Sequence, residues 1–479
     1  MINKRILQDL RAVALCSLFI LLCIAVPSGS AVAQPRERVD LLIRGGTILT
    51  VDSQDRIIEN GSLAIQGDRI VAIGTQSELG ARYRATRIMN AAGRLVLPGL
   101  VNTHNHAPMV LFRGVADDLA LMEWLTKYIF PAEARNVNAD FVRWGTLLAC
   151  AEMIRTGTTT FADMYYFEDT LAEAVHQAGM RGVLGETVID FPAPDHKTPQ
   201  ETLNYTERFI QRWLKDPLIV PAVAPHAPYT VAGDILKACA ALSDKYQVPL
   251  ITHISETQDE QKQVREKYAK TPTQFLDGLG VLSPRVIAAH CVWVSEADME
   301  ILARRQVGVA HNPDSNMKLA SGVAPVTALL KLGVPTGLGT DGAASNNGLD
   351  IFQAMDLASK LQKLHLMDPA VLPARDVVRM ATIGGARALH LDKDIGSLEV
   401  GKKADLILLE TQRPHLLPRY DYYSHLVYAY RGADVASTII GGRVVFENGR
   451  LLTLKESEIA AKALEYRQRI LESLKRSAE

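Results

Sequence analysis

Between about residue 95 and residue 390 the chain repeats one pattern: a short apolar run, polar residues at its end, then an amphipathic stretch. The apolar runs end at His106, Met164, Ile189, His226, Ile254, His290, His311 and Asp341. Stretches such as DFVRWGTLLACAEMIRTG, EDTLAEAVHQAGM and GDILKACAALSDKYQ separate them with helical periodicity. Strand–helix alternation demands parallel pairing, because neighbouring parallel strands need a crossover. Eight such units are what a (β/α)8 barrel of the TIM type requires, so the expected fold class is α/β. A doubly wound open sheet obeys the same alternation. It would not gather the ends of strands one, five, six and eight at one point.

The flanks differ. VDLLIRGGTILT, SLAIQGDRIVAIG and TRIMNAAGRLVL on one side, and IGSLEVGKKADLILLE and VASTIIGGRVVFENGR on the other, read as short β-strands. Gly45-Gly46, Gly67-Asp68 and Gly441-Gly442 supply turn chemistry between them. Two β-rich ends around one α/β core imply that the termini meet in a small composite β-sandwich. The expected organisation is a signal peptide over residues 1–33, sandwich strands over 34–94, the barrel over 95–394, the rest of the sandwich over 395–454 and a C-terminal helix over 455–479.

At the N-terminus Lys4, Arg5 and Arg11 precede an apolar run from Ala12 to Val26, and Ala31-Val32-Ala33 is a small-x-small cleavage motif. This predicts export to the periplasm or beyond, with a cut near Ala33/Gln34. A retained anchor is the alternative, for which the run is a little short. Cys16 and Cys23 would leave with it, and Cys150, Cys239 and Cys291 form no CxxC pair. They read as small core residues, with one disulfide left open by the oxidising compartment. A formal net charge of −1 gives no electrostatic case for nucleic acid or for an anionic membrane after cleavage. A small-molecule substrate is the partner to expect.

The chemistry lies at the strand ends: His104-x-His106, His253-x-x-Glu256, His290 and Asp341. Residues one apart on a strand point to the same face, so His104 and His106 grip one cation together. Barrel enzymes collect their working groups at the C-terminal ends of strands, where all of these stand. A lone histidine is more often a satisfied polar residue, and the conjunction is what marks a metal site. Three imidazoles and one carboxylate suit one divalent ion, zinc first and iron second, whereas calcium and magnesium want more oxygens. Such an ion lowers the pKa of a bound water from about 15.7 to roughly 7, so hydroxide is available at neutral pH.

GLVNTHNHAPM, HISET, AAHCVW, HNPDSN, GLGTDG and GKKADLIL together resemble the amidohydrolase superfamily, over essentially the whole chain after the leader. The nearer resemblance is to its aminohydrolase branch, which contains the 5-methylthioadenosine/S-adenosylhomocysteine deaminases and the triazine hydrolases. It implies His104, His106, His253 and Asp341 as metal ligands and Glu256, His290 and Asp341 as the catalytic groups. Glu256 would act as proton shuttle and His290 as hydrogen-bond partner of the attacking oxygen. Trp124, Glu133, His226 and Ser345 would contact the substrate, Glu133 by accepting both ribose hydroxyls. The bland readings are a core residue for Trp124, a helix-start carboxylate for Glu256 and a cap for Ser345. Two-metal relatives carry a bridging lysine at the end of strand four. VPAVAPHAPY offers His226 there, which favours one metal ion.

The expected reaction is hydrolytic deamination of an amino-substituted purine nucleoside or related heterocycle: methylthioadenosine, adenosine or S-adenosylhomocysteine. The resemblance further implies a homo-oligomer. In S-adenosylhomocysteine deaminases, arginines after strand three engage the amino-acid carboxylate. IDFPAPDHKTPQET has Lys197 as its only permanent cation, without the bidentate fork of arginine. Displacement of chloride or an alkylamine from a triazine is the alternative, and cleavage of a cyclic amide or dipeptide is disfavoured by the missing lysine. A catalytically dead scaffold would have lost ligands or Glu256, and all are present.

Overall fold

The computed structural model describes residues 36–475. The export segment and its cut near Ala33/Gln34 lie outside them. The described residues from Arg38 onward belong to one compact unit.

Eight parallel strands form its centre: β1 (Leu100–Asn105), β2 (Thr158–Tyr165), β3 (Arg181–Val188), β4 (Ile219–Pro225), β5 (Leu250–Ile254), β6 (Val286–His290), β7 (Gly308–His311) and β8 (Thr336–Leu338). They pair in sequence order to make a nearly closed barrel. Every residue of β1, β2, β3, β5 and β6 is buried, as expected of strands covered on both faces. At the seam the Asp341 N–H donates to the His104 carbonyl at 3.0 Å. This approach needs glycine: a Cβ on Gly339 would stand 2.2 Å from Asn312 Oδ1 and 2.9 Å from the His104 nitrogen.

Both chain ends contribute to a second, mostly antiparallel sheet of nine strands. They meet where Leu95–Pro98 pairs with Leu406–Leu409. The sandwich is this one sheet folded over an apolar core that joins Ile43, Ile65 and Val96 from one end to Leu408 and Ile439 from the other. One boundary and one turn differ from expectation. The barrel begins at Leu100 and not at residue 95, because Leu95–Pro98 belongs to the sheet and Gly99 then packs tightly against Thr159. Gly45-Gly46 is no turn; it is a bulge inside the single strand Glu37–Leu49, with Gly45 at φ 85°. Gly67 and Gly441-Gly442 do occupy turns.

A buried ion pair ties sheet to barrel. Arg181, opening β3, donates from Nε to Asp405 Oδ2 at 2.9 Å, and Asp405 Oδ1 also accepts the Gly441 N–H at 2.6 Å. The C-terminal helix spans Glu456–Lys475. Among the described residues no helix is long and apolar enough to cross a membrane. Cys150, Cys239 and Cys291 are buried and free, so the disulfide left open above does not form among them.

Candidate active site

Three of the strand ends that carry the chemistry turn through a backbone conformation that L-residues rarely adopt. Ser255 follows β5 at φ 57°, His290 ends β6 at φ 73°, and Asp341 follows β8 at φ 61°. Backbone strain of this kind persists where the surrounding structure holds it, and it clusters at working sites. Here it aims His290 and Asp341 at the imidazoles of β1 and β5.

The imidazoles converge. The His104 ring centroid lies 4.8 Å from that of His106, 5.0 Å from His253 and 5.5 Å from His290. Donor atoms of His104, His253 and His290 lie within 4.8 Å of one another, as do those of His104, His106 and Asp341. Asp341 Oδ1 stands 3.3 Å from His106 Nε2 and 3.4 Å from His104 Nε2.

Backbone carbonyls set the tautomers. His106 Nδ1–H donates to the Met164 carbonyl at 2.7 Å, and His253 Nδ1–H to the His226 carbonyl at 2.8 Å. Both Nε2 atoms keep a free lone pair, the arrangement that metal-ligating histidines show. His104 is fully buried, and neither of its ring nitrogens has a hydrogen-bond partner within the protein. An orphaned buried imidazole is costly unless something else satisfies it. Charge says the same. Burial lowers the pKa of His104 to about 4 despite Asp341 nearby. Burial also opposes a charge on His106, yet the Asp341 carboxylate overrides it and lifts the pKa to about 9. Asp341 itself is held well below the usual carboxylate range, since the two imidazoles outweigh its burial. Three imidazoles and one carboxylate with converging donor atoms fit a divalent cation, which His104, His106, His253 and Asp341 would hold.

Around this group lies a cleft partly open to solvent. Trp124, Glu133, His226, Glu256, His290 and Ser345 all line it. Glu256 is buried, with Oε2 3.8 Å from His290 Nε2, and burial raises its pKa. Burial pushes the Glu133 pKa up to about 7, only partly opposed by the Tyr165 hydroxyl, which donates to Oε1 at 2.7 Å. His226 is kept neutral, its pKa pushed down to about 3 by burial.

An amidohydrolase family model matches residues 95–445. Over 439 residues the chain is 51% identical to the 5-methylthioadenosine/S-adenosylhomocysteine deaminase 1 of Syntrophus aciditrophicus (strain SB), spanning 92% of this chain and 99% of that one. The chain belongs to the amidohydrolase family. An adenosine deaminase from Xanthomonas campestris with bound zinc superposes with a TM-score of 0.89 at 38% identity, covering 91% of this chain and 99% of that one. The zinc complex of an atrazine chlorohydrolase from Arthrobacter aurescens TC1 gives 0.83 at 25% identity, covering 89% and 100%.

Several groups in this amidohydrolase site escaped the sequence reading. Asp163, near the end of β2, accepts the Ala107 N–H at 2.6 Å and fixes the peptide that follows His106. Glu260 accepts the N–H groups of Ser255 and Glu256 at 2.8 and 2.7 Å, which sets the backbone carrying the Glu256 carboxyl. Asn316 Oδ1 stands 2.9 Å from His290 Nδ1. Ser315 donates to Asp341 Oδ2 at 2.7 Å, and Ser345 Oγ stands 3.0 Å from the same oxygen. Ser345 therefore faces the pocket with its hydroxyl already turned toward Asp341. The one available signal was strand-end position: Asp163 sits near the end of β2 as His104 sits near the end of β1, with His106 just beyond it. Trp124 to Ile129 form a wide π-turn that nothing in the sequence announced.

Proposed function

We propose that this chain is a hydrolytic deaminase of adenine nucleosides whose 5′ substituent is apolar, with one zinc ion as cofactor. One observation carries the reading: a buried carboxyl, Glu256, whose pKa burial raises, faces His290 beside the imidazole cluster, in the same cleft as Glu133 and Trp124. When bound, the metal supplies Lewis acidity and a water acidic enough to lose its proton near neutral pH. His104, His106, His253 and Asp341 would hold it.

The protein's own groups divide the rest of the work. His290 offers Nε2 as acceptor to the attacking water, because its Nδ1–H is committed to Asn316. Asp341, ionised, takes the water's proton. Glu256 gives its proton to the ring nitrogen beside the attacked carbon. As the tetrahedral carbon collapses, the proton taken by Asp341 passes to the amino group, which leaves as ammonia, while the carbinol O–H returns a proton to Glu256 and a carbonyl remains. Glu133 accepts the two ribose hydroxyls, and Trp124 walls the base.

The outer wall selects the 5′ group. Leu121, Leu125, Ile129, Phe130 and Leu319 line it, and no lysine or arginine does so among the described residues. An amino-acid carboxylate would lose its hydration there without an ion pair, whereas a methylthio group buries apolar surface. The basic-then-apolar leader with its Ala31-Val32-Ala33 motif supports an exported enzyme.

Ammonia release from zinc-loaded protein tests the reading. Methylthioadenosine and 5′-deoxyadenosine should be turned over with higher kcat/KM than S-adenosylhomocysteine. Activity confined to triazines or free bases would overturn it.

A further inference from the structure

A second group of buried carboxyls lies outside the barrel mouth, between β2, β3 and the loop after β3. Glu186 is on β3 next to Thr187; Thr187 lines the cleft and Glu186 points to the opposite face. Asp195 and His196 come from the loop 189–198, and Glu168 opens the helix Glu168–Ala178. The side chains of Glu186 and Asp195 are 0% and 5% exposed.

The hydrogen bonding is half complete in a consistent way. One oxygen of each acid is tied to backbone: Glu186 Oε2 accepts the Glu168 N–H at 3.0 Å, and Asp195 Oδ2 accepts the Phe167 N–H at 2.7 Å. The other oxygens, Glu186 Oε1 and Asp195 Oδ1, and His196 Nδ1 face one another and have no partner outside this trio. These three atoms converge. His196 Nδ1 stands 3.2 Å from Asp195 Oδ1 and 3.7 Å from Glu186 Oε1, and all three lie within 4.8 Å of one another. Independently, Glu168 is fully buried beside them with both carboxyl oxygens unpartnered. No ammonium or guanidinium lies within ion-pair distance of these acids among the described residues.

We infer that Glu186, Asp195 and His196 hold a second divalent cation of the zinc or manganese class, with Glu168 supplying further negative charge behind them. Two carboxylates and one imidazole are the donor set such ions take, each about 2.0–2.2 Å from the metal. Protons are the competing way to neutralise the group. With no cation the carboxylates hold His196 protonated up to about 10, and burial pushes Glu168 and Glu186 well up. A protonated Glu168 would then need an acceptor for its O–H, and it has none. A cation satisfies the converging atoms without adding a donor.

The position gives the ion a task. It would clamp the loop 189–198 to β3, and that loop carries Phe191, whose ring packs 5.3 Å from Phe130 on the cleft wall. The ion is therefore a staple for the rim and takes no part in the chemistry.

Metal content after chelation, reloading with excess zinc and gel filtration tests this without any substrate. The native chain should retain two zinc ions, and Glu186→Gln and His196→Gln should each retain one. Both variants should keep kcat within about threefold, because the imidazole cluster is untouched. His196→Gln guards against a Glu186→Gln protein that does not fold, since the His196 side chain lies in a loop and is 16% exposed. One ion in the native chain, or an unchanged count in both variants, would overturn the inference. The count does not depend on which nucleoside is turned over, so this inference and the proposed function fail separately.

Discussion

Asn316 Oδ1 accepts the Nδ1–H of His290 at 2.9 Å, and both residues are buried. Asn312 Nδ2 approaches the same ring nitrogen at 3.4 Å and is the weaker contact. The shorter bond selects the tautomer in which Nε2 carries the lone pair, facing Glu256 at 3.8 Å and Asp341 at 4.0 Å. Replacing Asn316 by leucine frees His290 to flip or to change tautomer. Outer groups that orient a metal-site histidine typically contribute about 10–100-fold. Steady-state kinetics on Asn316→Leu should show kcat lower by that factor, with KM and metal content close to native. An unchanged kcat would remove His290 from the proposed role.

Glu256→Gln separates metal binding from proton transfer. The amide is the same size and leaves the backbone bonds to Glu260 in place, but it cannot deliver a proton. Zinc content should stay native while ammonia release falls by about 10²–10⁴-fold. A smaller loss would mean that another group, with His290 the first candidate, carries the proton.

The strand ends were legible because a barrel writes them twice, as an apolar run and as a polar residue just beyond it. His104, His253 and His290 lie on the strands themselves, and Asp341 only three residues beyond β8. What stayed hidden depends on chain segments meeting far from their neighbours in sequence. Tyr165 reaches Glu133 across 32 residues, and Asn316 reaches His290 across 26. The π-turn at Trp124 and the bulge at Gly45 hid for another reason: local sequence looked like ordinary helix and ordinary turn. The barrel boundary fell at residue 95, inside the flank strand TRIMNAAGRLVL, because LVLP is as apolar as a barrel strand, and only its partner Leu406–Leu409 reveals the sheet it joins.

Glu133 gives the site a pH-dependent affinity. Burial raises its pKa to about 7, with the Tyr165 hydroxyl pulling the other way. Above that value the carboxyl is ionised and accepts both ribose hydroxyls; below it one oxygen carries a proton and accepts poorly. KM for methylthioadenosine should therefore fall as pH rises from about 6 to about 8 and then level, by no more than tenfold per unit. Tyr165→Phe removes the bond that favours ionisation and should move this transition upward. In Glu133→Gln, KM should be raised and the dependence lost. A KM profile that Glu133→Gln leaves unchanged would exclude contact between Glu133 and the ribose.

The joint between sheet and barrel sets a stability that activity does not share. Asp405 is nearly fully buried and holds both Arg181 and the Gly441 N–H. Asp405→Ala leaves the guanidinium of Arg181, only 7% exposed, without its carboxylate partner and cuts the Gly441 bond as well. Breaking one side of a buried pair typically costs about 3–5 kcal/mol, mostly from the stranded charge. Replacing both residues together, as Arg181→Met with Asp405→Leu, removes that charge and should recover most of the loss. Thermal unfolding should show a large fall in Tm for the single variant and a much smaller one for the double. kcat of the folded fraction should stay native in both, because Arg181 opens β3 at the end opposite the cleft-lining Thr187. A double variant as unstable as the single one would mean that the Asp405–Gly441 bond within the sheet, and not the ion pair to the barrel, carries the loss.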